Sequence, residues 1–143
     1  RVSKDLSTYF GGGKIRDSEG REGEPAIFGQ SARWMDYSGQ ITAEPDPVTE
    51  GITYFDHPSN PGYPTHWHVR EDGWMVASAC LTAPLATTRD APLMLRYMLH
   101  SHAGSMQPER ANQLAAEFAA REPLGVVKSD LPHTMYTIHR GVW

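Results

Sequence analysis

The stretch Leu93-Met94-Leu95-Arg96-Tyr97-Met98-Leu99-His100-Ser101-His102 alternates between two sets of side chains. Because residues i and i+2 of an extended chain share a face, the leucines and Tyr97 fall on one side and Met94, Arg96, Met98 and His100 on the other. This pattern is typical of a strand with one core-facing side. Shorter stretches predict further strands near 14–17, 31–37, 51–55, 74–81 and 135–139. The expected fold is a mostly β, antiparallel domain.

One helix is predicted after this strand, from Pro108 to Arg121. Proline is tolerated in the first turn of a helix, and Pro123 ends the pattern. The apolar residues that recur at helical spacing are Ala111, Leu114, Ala115 and Phe118. Residues 1–24 are rich in glycine, serine and charge, which predicts a flexible arm. The remainder, 25–143, is expected to form a single β-rich domain with the helix on its surface.

Composition limits the classes of partner. The chain has 143 residues and a net charge of −4, with no run of Lys or Arg. Nucleic acids and anionic membranes need a basic surface, so neither is expected as a partner. No apolar run is long enough to span a bilayer, and a soluble, cytoplasmic protein is favoured. The single cysteine, Cys80, has apolar neighbours, which predicts a buried, unreactive thiol.

The stretch from Phe55 to Arg70 is the candidate site. It contains three histidines, an aspartate, an asparagine, an arginine and three closely spaced prolines. Proline removes a backbone donor and disfavours the helical conformation of the residue before it, so this stretch is expected to be an ordered loop that leads into a short extended piece. Rigidly held loops commonly carry binding and catalytic groups.

One interpretation of these residues is histidine acid/base chemistry on a sugar or keto-sugar, without a required cofactor. The candidate catalytic residues are His57, His68 and Asp56, the aspartate orienting a ring. Hydroxyl and ring contacts would come from Trp34, Asn60, Trp67, Arg70 and His102 as substrate-binding residues. Trp74 offers a similar flat face. In the competing structural interpretation, the histidines fix the loop through hydrogen bonds and the tryptophans belong to the core.

A second interpretation is a metal-dependent hydrolase or oxygenase. His66 and His68 are two residues apart and would point the same way from an extended backbone, so a divalent metal could bind both rings. His57 would complete a three-nitrogen site with an open position. A third interpretation is a sugar-binding or structural module without catalysis.

Several motifs also resemble a known family. They are Arg16 to Gly20, Ala32 to Gly39, Asp56-His57-Pro58-Ser59-Asn60, Trp67-His68-Val69-Arg70, and Leu95-Arg96-Tyr97 with His102 and Gly104. Together they resemble the bacterial family of unknown function often called "methane oxygenase PmoA". His66 departs from the family pattern, whereas the matched positions are Trp34, Asp36, Asp56, His57, Asn60, Trp67, His68, Arg70 and His102.

The resemblance implies a galactose-mutarotase-like β-sandwich and, by association, carbohydrate chemistry. Members of that family are longer, so this chain would be the C-terminal half of a larger sandwich. Its expected partners are a small carbohydrate and either the missing N-terminal half or another copy of the chain.

Overall fold

A computed structural model describes residues 1–141 of the protein. Within these residues the chain forms three helices and eight strands. The helices are α1 (Thr8–Gly11), α2 (Glu24–Ile27) and α3 (Pro108–Ala119). The strands are β1 (Lys14–Asp17), β2 (Trp34–Ile41), β3 (Val48–Asp56), β4 (Trp67–Val69), β5 (Met75–Ala77), β6 (Tyr97–Ala103), β7 (Leu124–Lys128) and β8 (Tyr136–Arg140).

The centre of the fold is a four-stranded sheet in the order β1-β2-β3-β6. All its pairings are antiparallel, and residues in register include Asp36 with Thr53 and Gly51 with His102. Two separate antiparallel hairpins, β4-β5 and β7-β8, complete the strands. The predicted mostly β fold with antiparallel sheets and one long helix is confirmed.

The two faces of the central sheet are covered by different elements. Met35 and Tyr37 of β2 pack on one face against Trp67 and Val69 of the β4-β5 hairpin. On the other face, an apolar cluster joins strand residues to α3. That cluster contains Trp34, Phe55, Met106, Ala111, Leu114 and Phe118. Because successive side chains of β2 point to opposite faces, residues 34–39 are buried on both sides of the sheet. The layers form a β-sandwich-like arrangement.

Residues 1–24, expected to be a flexible arm, are instead bound to the rest of the fold. The predicted strand near residue 14 is present as β1 and is one edge of the central sheet. The preceding segment is held by backbone hydrogen bonds from Val2 N to Gly73 O and from Tyr9 N to Glu71 O, both 2.9 Å long. These bonds bring α1 beside the turn that follows β4.

The stretch that predicted the fold is only partly a strand. Its first four residues lie outside β6 because Asn60 pairs with the backbone of Arg96. The Asn60 amide accepts a hydrogen bond from Arg96 N and donates one to Arg96 O, each 2.7 Å long. A side chain thus replaces the neighbouring strand at this point.

Two further differences from the sequence predictions concern exposure and strand number. Cys80 is exposed rather than buried, because it lies in a turn beyond the end of β5. Strand β7 was not predicted, because its five residues do not alternate clearly between apolar and polar types. Over residues 1–141, no helix combines the length and apolar character that crossing a bilayer requires.

Candidate functional site

An open groove of about 560 Å³ lies where α1, α2 and the end of β4 meet. We call it the aromatic groove. Its lining residues are Tyr9, Phe10, Glu24, His68, Arg70, Glu71, Asp72 and Trp74. Two of these, His68 and Arg70, were predicted site residues. The others were not predicted as site residues except for Trp74, which the sequence suggested as a flat apolar face.

A buried tyrosine joins the two walls of the aromatic groove. The Tyr37 hydroxyl accepts a hydrogen bond from Thr8 N of α1 and lies 3.2 Å from that nitrogen. The same oxygen lies 3.2 Å from the carbonyl oxygens of Arg70 and Glu71, to which it can donate. Since Tyr37 is fully buried, both walls are anchored to the core of the protein.

Three aromatic side chains in the aromatic groove are exposed to solvent. The exposed fraction is 72% for Tyr9, 50% for Phe10 and 45% for Trp74. Large aromatic side chains are usually buried, because each carries a large apolar surface. Three exposed rings around one concavity form an apolar surface suited to a flat ligand.

The polar groups of the aromatic groove are arranged around Glu24. Its carboxylate accepts a 2.7 Å hydrogen bond from Glu71 N and lies 3.3 Å from Arg70 Nε. The side chain of Arg70 is 54% exposed, and its other N–H groups have no hydrogen-bond partner among residues 1–141. His68 stands edge-on to Phe28, with ring centroids 5.2 Å apart. Neither ring nitrogen of His68 has a hydrogen-bond partner among residues 1–141.

Asp56, predicted to orient a catalytic histidine, and Asn60, predicted to bind substrate, are buried and hold the loop between β3 and β4. The Asp56 carboxylate accepts hydrogen bonds from Asn60 Nδ2 at 2.7 Å and from Thr65 N at 2.8 Å. Asn60 also binds the backbone of Arg96. Both side chains therefore have their hydrogen-bond partners within the protein, and they fix the loop.

His57, predicted to be catalytic, is also buried and lies against α3. Its Nδ1 accepts a 3.1 Å hydrogen bond from Ser59 N, and its ring packs edge-on to Phe118 with centroids 4.9 Å apart. Burial lowers the pKa of His57, and the positive charge of Arg96 lowers it further. The opposing influence of Asp56 and of the carbonyls of Phe118 and Ala119 is smaller.

We expect the free energy of unfolding to depend on pH through His57. Because the pKa of His57 is lower in the folded than in the unfolded protein, the unfolded chain binds more protons below the ordinary pKa of about 6.5. The stabilisation from neutral His57 is thus present above that pH and is lost as the pH falls toward the folded-state pKa. Urea unfolding between about pH 7.5 and 5.5, where carboxylates stay ionised, should show a smaller decrease for His57→Gln than for the wild type. His139→Gln, at an exposed histidine, is the control and should retain the wild-type decrease.

The two predicted stacking tryptophans belong to the core. Trp67 is fully buried, and its Nε1 donates a 2.9 Å hydrogen bond to Ala32 O. Trp34 lies under α3, where its Nε1 donates a 3.0 Å hydrogen bond to Asn112 Oδ1. Neither ring has a face open to a ligand, so the prediction that they stack on substrate is wrong.

The three histidines proposed as metal ligands do not come together. His66 and His68 share the outward side of β4, as their spacing predicted, since Trp67 and Val69 point inward. His57 instead contacts α3 across the sheet. Within the described part of the chain, no group of three or more His, Cys, Asp or Glu side chains is placed to hold a metal ion.

His102, predicted to bind substrate, forms a buried pair with Asp36. Its Nε2 lies 2.8 Å from Asp36 Oδ1 and its Nδ1 lies 2.9 Å from Gly104 O. Both ring nitrogens of His102 therefore face acceptor atoms of the protein itself. The Asp36 carboxylate also accepts a 2.7 Å hydrogen bond from Thr53 and a short one from Ser38. This cluster, Asp36, Ser38, Thr53 and His102, leaves no ring nitrogen of His102 free for a ligand.

A glycine makes room for the His102 ring. Gly51 lies opposite His102 in the sheet. A Cβ atom at this position would lie 2.7 Å from His102 Nε2 and 2.7 Å from Ser38 Oγ. The absence of a side chain at Gly51 therefore lets the ring lie flat across β3 and reach Asp36.

Comparison with known proteins places the chain in a family. A family model described as "Family of unknown function (DUF6807)" matches residues 1–116. No curated protein and no solved structure matches the chain. The expected membership of the methane oxygenase family is therefore wrong, because the family that matches is DUF6807. The expectation that the chain is the C-terminal half of such a protein loses its basis with it.

Proposed function

Because the chain belongs to the DUF6807 family, whose function is unknown, we propose a function for the chain from the geometry of the aromatic groove. The protein binds a carbohydrate in this groove, and His68 is the acid/base group. The observation that carries this proposal is the exposure of Tyr9, Phe10 and Trp74 around one concavity that also contains His68 and Arg70. The fully buried rings of Trp34 and Trp67 take no part in it.

The chemistry of the aromatic groove suits a sugar. A pyranose has apolar C–H faces that stack on aromatic rings and hydroxyls that need hydrogen-bond partners. The carboxylates of Glu24 and Glu71 can accept hydrogen bonds from sugar hydroxyls, and Arg70 can donate hydrogen bonds to the same kind of group. The volume of about 560 Å³ is large enough for one or two sugar rings. The lining residues include three acidic side chains, Glu24, Glu71 and Asp72, and one arginine, Arg70, so a neutral sugar is favoured over an acidic one.

His68 is the residue of the groove suited to proton transfer. Histidine titrates near neutral pH and can serve as acid or base when one nitrogen faces the substrate. The ring of His68 is fixed on one side by Phe28, and its nitrogens are not used inside the described protein. His57 lacks this freedom, since it is buried against α3.

Binding is tested by calorimetric titration of the chain with glucose, galactose, mannose, fructose, maltose, cellobiose and lactose. We expect Trp74→Ala and Tyr9→Ala each to weaken binding of the best sugar about tenfold, since each removes one stacking surface. Tyr136→Ala is the matched control, because Tyr136 is similarly exposed but lies on β8 outside the groove. Equal affinities for all four proteins, or no binding of any sugar, would contradict the proposal.

Turnover is tested separately, by following the anomeric and C–H signals of the bound sugar by NMR. His68→Gln should keep sugar affinity within about twofold and abolish turnover, because glutamine can hydrogen-bond but cannot transfer a proton at neutral pH. Binding without turnover in the wild type would instead assign the groove to a non-catalytic sugar-binding module. The metal-dependent interpretation predicts activity that a chelator removes.

A further inference from the structure

We propose a second binding site, separate from the aromatic groove, for an organic anion with an apolar body. It is a cleft of about 310 Å³ between the start of β6, the end of α3 and the β7-β8 hairpin. We call it the arginine cleft, because Arg96, Arg121 and Arg140 all line it. Part of it is built by residues after 116, beyond the family match.

The floor and walls of the arginine cleft are apolar. Phe118 of α3 is buried beneath it, and Met98 of β6 is packed against the same cluster. Met94, Leu95 and Leu124 form more exposed walls, with exposed fractions of 61%, 38% and 47%. Several exposed large apolar side chains around one concavity are typical of a binding surface rather than of isolated surface residues.

The three guanidinium groups lack carboxylate partners. No ion pair within 4.0 Å involves Arg96, Arg121 or Arg140 in residues 1–141, whereas Arg1, Arg16 and Arg21 all have one. Glu122 lies at the outer rim, next to Arg121 and Arg140, and offsets part of their charge. A cleft with this excess of positive charge on a chain of net charge −4 attracts anions.

Arg96 is held in place rather than free in solvent. Its Nη2 donates to Arg121 O at 2.9 Å and to Glu122 O at 3.3 Å, the carbonyls that follow α3. Its guanidinium carbon lies 5.9 Å from the centre of the Phe118 ring, a cation–π distance. An arginine fixed in this way still has N–H groups for a ligand, and less side-chain entropy is lost on binding.

The size and charge of the cleft define the ligand class. Its volume corresponds to about ten water molecules at ~30 Å³ each, which suits a ligand of about ten non-hydrogen atoms. A carboxylate or phosphate would bind the guanidinium groups, which match its geometry, and a short apolar chain or ring would cover Phe118 and Met98. Octanoate and octyl phosphate are probes of this class.

The test is calorimetric titration of the whole chain with octanoate, octyl phosphate, octanol and acetate. We expect the octyl anions to bind more tightly than octanol, which lacks the charge, and than acetate, which lacks the apolar body. The variant Arg121→Gln/Arg140→Gln should raise the Kd of the octyl anions about tenfold. Arg89→Gln/Arg110→Gln is the matched control, since it removes the same charge from exposed positions outside the cleft.

The outcomes separate the proposal from its rivals. Binding of octanoate alone or octyl phosphate alone would support the site and identify the anionic group. Equal affinity for octanol and the octyl anions would overturn the proposal. An equal loss of affinity for the octyl anions in the two double variants, or no binding of any probe, would also overturn it. Circular dichroism of both double variants checks that they are folded. The sugar titrations above do not depend on this result.

Discussion

Replacing Trp67 with alanine is expected to lower the free energy of unfolding by about 4 kcal/mol, as for other large-to-small substitutions in cores. The side chain of Trp67, a residue of the β4-β5 hairpin, is fully buried against the central sheet. Its ring meets that of Tyr54 edge-on, with centroids 5.1 Å apart. The substitution also leaves Ala32 O without its hydrogen-bond donor.

Urea unfolding followed by far-UV circular dichroism measures this loss without relying on tryptophan fluorescence. Trp74→Ala is the control, because Trp74 is 45% exposed and its removal should change stability by no more than about 0.5 kcal/mol. Trp67 thus belongs to the core, whereas Trp74 keeps the exposed face that the sequence suggested for it. A Trp67→Ala protein of wild-type stability that failed to bind sugar would restore the stacking role of Trp67.

Gly51→Ala is expected to lower the free energy of unfolding by about 3 kcal/mol, because the added methyl group overpacks a filled site. Its Cβ would lie 2.7 Å from both His102 Nε2 and Ser38 Oγ. Both side chains are bound to the Asp36 carboxylate, so neither can move without losing a buried hydrogen bond.

A double-mutant cycle tests the cause of this loss. If the clash is with the imidazole ring, Gly51→Ala should lower the free energy of unfolding by at least about 1 kcal/mol less in a His102→Ala background than in the wild type. Thermal and urea unfolding of the four proteins give the coupling free energy. Additive effects would show that the added methyl group meets something other than His102.

The strands and the long helix follow from local patterns that the sequence displays. The helix prediction matches α3 to within two residues at its end, because proline and a spaced apolar stripe define it. The limits of β6 were less predictable, since Asn60 binds the backbone of Arg96 from 36 residues away. Such a contact depends on the course of the whole chain and leaves no mark on local periodicity.

The same limit applies to the site. The spacing of His66 and His68 correctly placed them on one side of β4, and the same alternation places Trp67 on the buried side. The stacking role of Trp67 therefore conflicted with the rule used for the histidines. Tyr9 and Phe10 were not predicted as site residues, because a glycine-rich segment suggests mobility unless its tertiary contacts are known.

The Asp36–His102 pair was beyond prediction from residue types alone. The two residues are 66 positions apart and meet only because β3 lies between β2 and β6. Their contact also depends on Gly51 in the intervening strand, which leaves room for the His102 ring. This role can be recognised only once the strand register is known.

The hydroxyl of Tyr37 links the shape of the aromatic groove to the interior of the protein. One oxygen contacts both the segment that carries Tyr9 and Phe10 and the backbone of Arg70. A substitution that shifts the Tyr37 ring by a few tenths of an ångström therefore alters the width of the aromatic groove without touching a ligand. Variants of Met35 or Val69, which share the core cluster with Tyr37, are thus expected to alter sugar affinity as well as stability.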